Sequence, residues 1–445
     1  MPHEAGQVLF GWDALWLSSA ILVVTYGVII SERINRAVIA LVGASVVVAT
    51  GVLDQQQAIA GIDFNTLALL IGMMIIVAIS RQSGLFQYVA IWSVKRVKAR
   101  PWPAMLMLSV VTALFSALLD NVTTVLLIVP VTLVITEELK VTPYPFLFAE
   151  ILASNIGGTS TLIGDPPNIL IGSATGLTFN EFLVNLAPAA AFVFAATMPI
   201  IYLIWGRKLT APAEARARVM KFNEIEAITD WRLLKQALAV IFVVIAAFVL
   251  AHDIGMEPGS IALFGAAVLM LLHNLPHSAE HQSHTLHKTF GEVEWITIFF
   301  FVGLFVVVAG VEHAGLLKML ADYMLVATGG DFAMTGYAIL WSAAVLSAIV
   351  DNIPFVATMI PLIQSMAPTF GGEEQLTPLW WALALGACLG GNGTLIGASA
   401  NLTVAGLAER AGHPIRFVPF LLMAFPLMMM SVAISHVYMY LFFFD

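Results

Sequence analysis

Charge is what this sequence has least of. Only 11% of its 445 residues are charged, against about 25% in an ordinary soluble domain. With 60% hydrophobic residues and a mean hydropathy of +0.93, the composition is that of a chain solvated by lipid. Cysteine is nearly absent as well, and the single Cys388 excludes a disulfide framework. The ~10-residue alternating segments of a transmembrane barrel are missing; the apolar runs instead approach the ~20 residues of a spanning helix. There is no basic patch and no nucleic-acid motif, so no nucleic-acid partner is expected. Nothing argues for an enzyme, a cofactor or a resident metal, and the net charge of −9 says little about partners. The N-terminus lacks a basic n-region, so no cleavable leader is expected.

What is present is a series of apolar runs separated by breakers. Ten full spans are expected, near 13–30, 37–53, 65–80, 145–172, 182–205, 233–251, 260–272, 295–310, 378–408 and 417–443. Those at 145–172 and 378–408 are broken internally. Two further stretches, 103–137 and 332–366, carry a polar Asp-Asn at their centres and read as re-entrant hairpins that enter and leave on one side. This topology puts eighteen of the nineteen Lys and Arg residues on one face and only Lys318 on the other. Such a bias marks the basic face as cytoplasmic. Both termini are then outside the plasma (inner) membrane, and 207–231 is a cytoplasmic linker. Segments 84–98 and 315–326 read as interfacial helices.

The second half repeats the first. Ser116-Ala117-Leu118-Leu119-Asp120-Asn121 recurs 231 residues on as Ser347-Ala348-Ile349-Val350-Asp351-Asn352. The same offset pairs Gly72 with Gly303, Gly84 with Gly315, Pro130 with Pro361 and Asp63 with Glu294. Gly157-Gly158-Thr159-Ser160-Thr161-Leu162-Ile163-Gly164 recurs 233 residues on as Gly390-Gly391-Asn392-Gly393-Thr394-Leu395-Ile396-Gly397, and Asn168 pairs with Asn401. Each half holds five spans, an odd number, so the second must lie upside down in the membrane. The expected fold is therefore all-α and polytopic: an inverted repeat over 1–206, the linker, and its mate over 232–445. The first hairpin faces the cytoplasm and the second faces outward. Interrupted segments at matching positions of inverted repeats point to a secondary-transporter site.

The chemistry-bearing residues lie at those interruptions. Asp120 and Asp351 sit between apolar half-helices, where a carboxylate is costly unless paired, protonated or solvated. Each can simply N-cap the half-helix that follows; each can also bind a coupling cation or exchange a proton. Asn121, Thr123, Thr124 and Asn352 share the tips. Glycine pairs Gly157-Gly158 and Gly390-Gly391 let the broken spans unwind where they line a cavity. With Asn155, Thr159, Thr161, Asn392 and Thr394 they supply an oxygen-rich substrate lining. Asp165 begins a helix at Asp165-Pro166-Pro167-Asn168 and is either a cap or a coupling group. It is matched by Ala398, Asn155 is matched by Cys388, and Glu150 has no acidic counterpart and reads as a second protonation site. Cys388 reads as a small buried hydrophobe rather than a metalloid ligand. Residues 273–287 read as a cytoplasmic loop whose His277, His281 and His284 have helical spacing; a polar loop is favoured over a metal site. Asp63 and Glu294 read as interfacial anchors.

At these motifs the sequence resembles the ArsB/P-protein branch of the ion transporter superfamily. The first tip, residues 157–171, and above all 351–361 with 386–401 (GACLGGNGTLIGASAN) carry the resemblance, which runs over nearly the whole chain. It implies inverted repeats, each with a re-entrant hairpin and a discontinuous helix, in an ion or metalloid permease. Sodium-coupled dicarboxylate transporters of the superfamily have Ser-Asn-Thr at the tips. Here Asp120 and Asp351 occupy the serine positions and would repel a dicarboxylate. NhaD-type Na⁺/H⁺ antiporters resemble the chain through their Leu-Asp-Asn tips but diverge over 165–168. The expectation is export of arsenite, with antimonite as a second cargo, in exchange for protons. Its alternatives are NhaD-type Na⁺/H⁺ antiport and a P-protein-like anion channel. The resemblance also allows a cytoplasmic ATPase subunit on the linker, and an apolar outer face permits a homodimer in the bilayer.

Overall fold

The computed structural model describes residue 8, residues 11–31 and residues 33–444, and among the described residues the chain is all helix and connection, without a strand. Among the described residues, nine helices are long and apolar enough to cross a membrane. The principal helices recur as two matched sets of nine. In the first half these are α1 (Ala14–Ser31), α2 (Arg36–Ala49), α3 (Phe64–Arg81), α4 (Leu85–Arg96), α5 (Pro101–Leu118), α6 (Asn121–Leu139), α7 (Tyr144–Gly158), α8 (Pro166–Thr175) and α9 (Phe179–Ile201). In the second half they are α10 (Trp231–Val249), α11 (Pro258–Asn274), α12 (Trp295–His313), α13 (Leu316–Ala327), α14 (Phe332–Ile349), α15 (Asn352–Gln364), α16 (Thr377–Gly390), α17 (Ser399–Arg410) and α18 (Phe417–Met439). The match extends to the ends: α9 and α18 each have 23 residues and each runs into a five-residue π-helical turn.

Packing between the halves is reciprocal. Helix α3 lies against α11 and α12 against α2, α6 against α17 and α15 against α8. Equivalent glycines make the first pair of contacts close. A Cβ on Gly72 would stand 2.5 Å from the backbone of Ala262, and one on Gly303 would stand 2.4 Å from that of Ala40. Without a hydrophobic drive between helices in lipid, such small-residue approaches are what hold spans together. Within each half, α5 packs on α7 and α14 on α16. There Gly157 meets the carbonyl oxygen of Ala113 and Gly390 that of Ala344, at 2.2 and 2.5 Å from an added Cβ. Residues such as Trp16, Val184, Phe242 and Leu422 are more than two-thirds exposed, which suits a lipid-facing surface.

The hairpin stretches are helix–break–helix units whose limbs are mostly of spanning length, 18 and 19 residues in α5 and α6. The linker is strapped beneath the first half rather than loose. It forms a helix at Ala213–Met220; Arg218 pairs with Glu138 at 3.0 Å, and Lys95 binds the Phe222 carbonyl at 2.8 Å and the Glu224 carboxylate. That bond from Lys95 holds Glu224 below the usual glutamate range. One expectation is corrected: much of 273–287 is not loop, because Ala279–Gly291 is a helix. The side chain of His281 lies outside the described residues.

Candidate functional site

The chain leaves helical geometry at the two tips because the residues there satisfy the backbone groups that a broken helix exposes. Asp120 is extended (φ −151°, ψ 161°) and its carboxylate accepts from the Thr123 N–H at 2.8 Å, capping α6. Asp351 caps α15 by accepting from the Ile353 N–H at 3.1 Å. On the other limb the freed carbonyls are taken up by hydroxyls from the broken spans. Thr161 donates to the carbonyl of Ala117, and Thr394 donates to that of Ala348 at 2.6 Å. Ser116 and Ser347 donate back to the carbonyls of Ser154 and Ala387 at 2.6 and 2.7 Å. The Thr159 hydroxyl is bound to the Asn155 carbonyl at 2.7 Å. All of these except the Thr159 hydroxyl, whose bond stays within the broken span, fasten hairpin to broken span.

The broken spans are latched by a matched pair of asparagines. Asn168 donates to the carbonyls of Thr159 and Thr161 at 3.1 and 2.8 Å, and Asn401 to those of Gly391 and Thr394 at 2.7 and 2.8 Å. Each latch is then held from the opposite half. Asn155 donates to Asn401 Oδ1 at 2.9 Å, while its repeat mate Cys388 donates to Asn168 Oδ1 at 3.4 Å. Asn155 also donates to Asn392 at 2.9 Å and accepts from Asn121 at 3.1 Å. This buried amide chain joins the first tip to the second broken span. The contact also explains Cys388: the thiol does the work of an amide at the equivalent position.

Between the tips lies a small chamber of about 30 Å³ lined by Asp120, Asn121, Thr123, Asp165, Asn352, Arg36, Thr297 and Ser399. That is room for about one or two waters. It shares Arg36, Val122, Glu294, Thr297 and Ser399 with an open cavity of about 520 Å³. Asp351 is on the wall of the larger cavity, whose rim includes the exposed Ile34, Asn35 and Arg410. Asp165 heads α8 but makes no cap bond; both of its oxygens accept instead from Asn352 Nδ2 at 3.3 and 3.4 Å. Arg36 Nη1 pairs with Asp351 at 2.9 Å. Three carboxylates from both halves thus lie around the tips, and Arg36 pairs with one of them, Asp351.

Of the other expected site residues, Glu150 is fully buried on α7, with one oxygen accepting from Thr132 at 2.5 Å and the other unpartnered among the described residues. The Thr124 hydroxyl and Asn121 Oδ1 are likewise buried and unpartnered. Gly158 and Gly391 pack against the carbonyls of Gly164 and Gly397. Sequence reasoning missed Arg36, Thr297, Ser399 and Glu294. Arg36 was counted only among the face-marking charges, although its place at the first residue of a span was a visible signal. Glu294, read as an interfacial anchor, lines both cavities.

A family model described as a citrate transporter, CitMHS, matches residues 26–386. A protein of Mycobacterium tuberculosis (strain ATCC 25618 / H37Rv) named an uncharacterized transporter is 43% identical over 425 residues, covering 95% of this chain and 97% of that one. The P protein of Homo sapiens is 32% identical over 504 residues, covering 95% of this chain but 59% of its own length. Among solved structures, the YdaH transporter of Alcanivorax borkumensis aligns over 96% of this chain and 98% of its own, with a TM-score of 0.56 and 15% identity. That last likeness is one of fold. The P-protein resemblance expected from the tips is found, while the matching family model is described by citrate rather than arsenite.

Proposed function

The chain belongs to the citrate transporter family, and from that premise we propose that it is a secondary active transporter that exports arsenite in exchange for protons. The observation that carries this reading is the chamber between the tips, which Asp120 and Asp165 line, with Asp351 paired to Arg36 on the wall of the adjoining cavity. Two of the three carboxylates lack a cationic partner among the described residues, and at this depth each needs a proton or a bound cation. Proton loading and release at these acids, with Glu150 as a further carrier, supplies the coupling. The reciprocal contacts between α3–α11 and α2–α12 support two inverted repeats working about the chamber. The charge bias supports outside termini and a cytoplasmic linker in the plasma membrane. The larger cavity, with Asn35 and Arg410 at its rim, is then the cytoplasmic entrance.

Uncharged As(OH)₃ needs hydrogen-bond donors and acceptors rather than a counter-charge. Asn352, Thr297, Ser399 and the amide of Asn121 offer them beside the carboxylates. A tricarboxylate such as citrate would instead meet three acids with one paired arginine. A second reading, Na⁺/H⁺ antiport, is favoured by the size of the chamber, which suits a bare cation better than a larger solute. Everted vesicles separate the two. Arsenite accumulating under an inside-acid gradient supports export; Na⁺-evoked dequenching of a pH dye, without arsenite uptake, replaces it with antiport.

A further inference from the structure

The two tips are alike in sequence but not in surroundings. Asp351 Oδ2 receives Arg36 Nη1 and the Ser399 hydroxyl, both at 2.9 Å, while Oδ1 takes the Ile353 N–H. The guanidinium is itself held in place: Nη1 donates to Ser399 Oγ at 2.6 Å, Nη2 to Thr297 Oγ1 at 3.3 Å, and the group lies 5.0 Å over the Phe300 ring. The side chains are only 24% and 11% exposed. Asp120, by contrast, accepts from Thr123 and has no ion-pair partner among the described residues; nor has Asp165.

Repeat geometry shows why. The reciprocal glycine contacts match Ala40 with Ala262, which aligns Arg36 with Pro258 at the first residue of α11. The offset of the broken spans aligns Ser399 with Pro166. The second tip meets a guanidinium and a hydroxyl; the positions equivalent to them in the repeat are prolines, which have neither charge nor N–H.

We propose that Arg36 is a resident counter-ion that takes Asp351 out of ion exchange, leaving Asp120 and Asp165 as the exchanging carboxylates. This rests on the reading of the chamber as a coupling site. The repeat supplies two carboxylate tips, and one first-half arginine assigns them different work. Asp351 with Arg36 anchors the chamber wall as a neutral pair, and Asp120 with Asp165 takes up and releases the coupling ion. Arg36 is in this sense a positioning and specificity residue: it sets how much uncompensated negative charge the site presents, and so how many protons or monovalent cations each cycle carries.

Two readouts test this. The pairing is read without any cargo, from the melting temperature of the purified protein. Arg36→Gln and Asp351→Asn should each lower it, because each leaves a shielded charge unpaired, and the double variant should recover most of the loss; additive losses overturn the proposal. The division of labour is read in proteoliposomes. Arg36→Gln should slow proton-driven transport and shift the reversal voltage by one extra coupling ion. Adding Asp351→Asn should restore the wild-type ratio, and Arg36→Lys should keep it. A double variant no better than Arg36→Gln, or Arg36→Gln with wild-type rate and ratio, overturns the proposal. A wild type that moves neither arsenite nor Na⁺ against a proton gradient refutes the coupling reading and the division of labour with it, while the melting cycle still decides the pairing.

Discussion

Replacing Asn155 by alanine should be among the most damaging single changes in the membrane core. The side chain is fully buried and makes three hydrogen bonds: from Asn121, to Asn392 and to Asn401. Asn155→Ala orphans a donor on Asn121 and an acceptor on each of the other two. A buried polar group left unsatisfied costs about 1–3 kcal/mol, while hydrogen bonds between membrane helices average about 0.6 kcal/mol because the unfolded reference also finds partners. Three bonds lost therefore predict about 2–4 kcal/mol. Asn155→Cys should lose less, since Cys388 shows that a thiol at this repeat position still donates to the opposite asparagine. Reversible unfolding in mixed micelles by added dodecyl sulfate gives the comparison. Asn155→Ala within about 0.5 kcal/mol of wild type, or a cysteine variant less stable than the alanine one, would refute the idea that this amide joins the halves.

The symmetric glycines give a paired prediction. Gly72→Ala and Gly303→Ala each drive a methyl into backbone on the opposite half and should each destabilise by about 1–3 kcal/mol in the same unfolding assay. A loss at only one of them contradicts reciprocal packing. The linker supplies a pH dependence. Folding lowers the Glu224 value through its bond from Lys95, so this contact stabilises above the unfolded glutamate range and is lost as pH falls through the lowered value. Proteolysis within 207–231 should therefore quicken on acidification, and Lys95→Met should remove the acid step; equal sensitivity at all pH values contradicts it.

The hairpins and broken spans were legible because a carboxylate flanked by apolar runs, and glycine pairs inside a span, have few other meanings in lipid. The sequence repeat was legible at its tips, where the similar blocks lie; the matching π-turns after α9 and α18 were not, since those turns share only an initial Tyr-Leu. Helix Ala279–Gly291 was missed because a short polar helix lacks the apolar stripe that marks one. The site was half visible. Asp120, Asp165 and Asn352, all singled out by their motifs, line one chamber. Arg36 and Ser399 join them only through the packing of α2 on α12 and the position of α17, contacts between residues hundreds apart that no local pattern encodes. Thr161 and Thr394 looked like cavity lining, yet their hydroxyls are bound to hairpin carbonyls, a choice that only the position of the opposite limb determines.

Coupling through the tips is tested most directly by arsenite flux in proteoliposomes holding wild type or Asp120→Asn. The account predicts that wild type accumulates arsenite against its gradient when the lumen is acid. Asp120→Asn should lose that accumulation while still exchanging labelled for unlabelled arsenite at equilibrium. Proton-driven accumulation by Asp120→Asn at the wild-type level would contradict it.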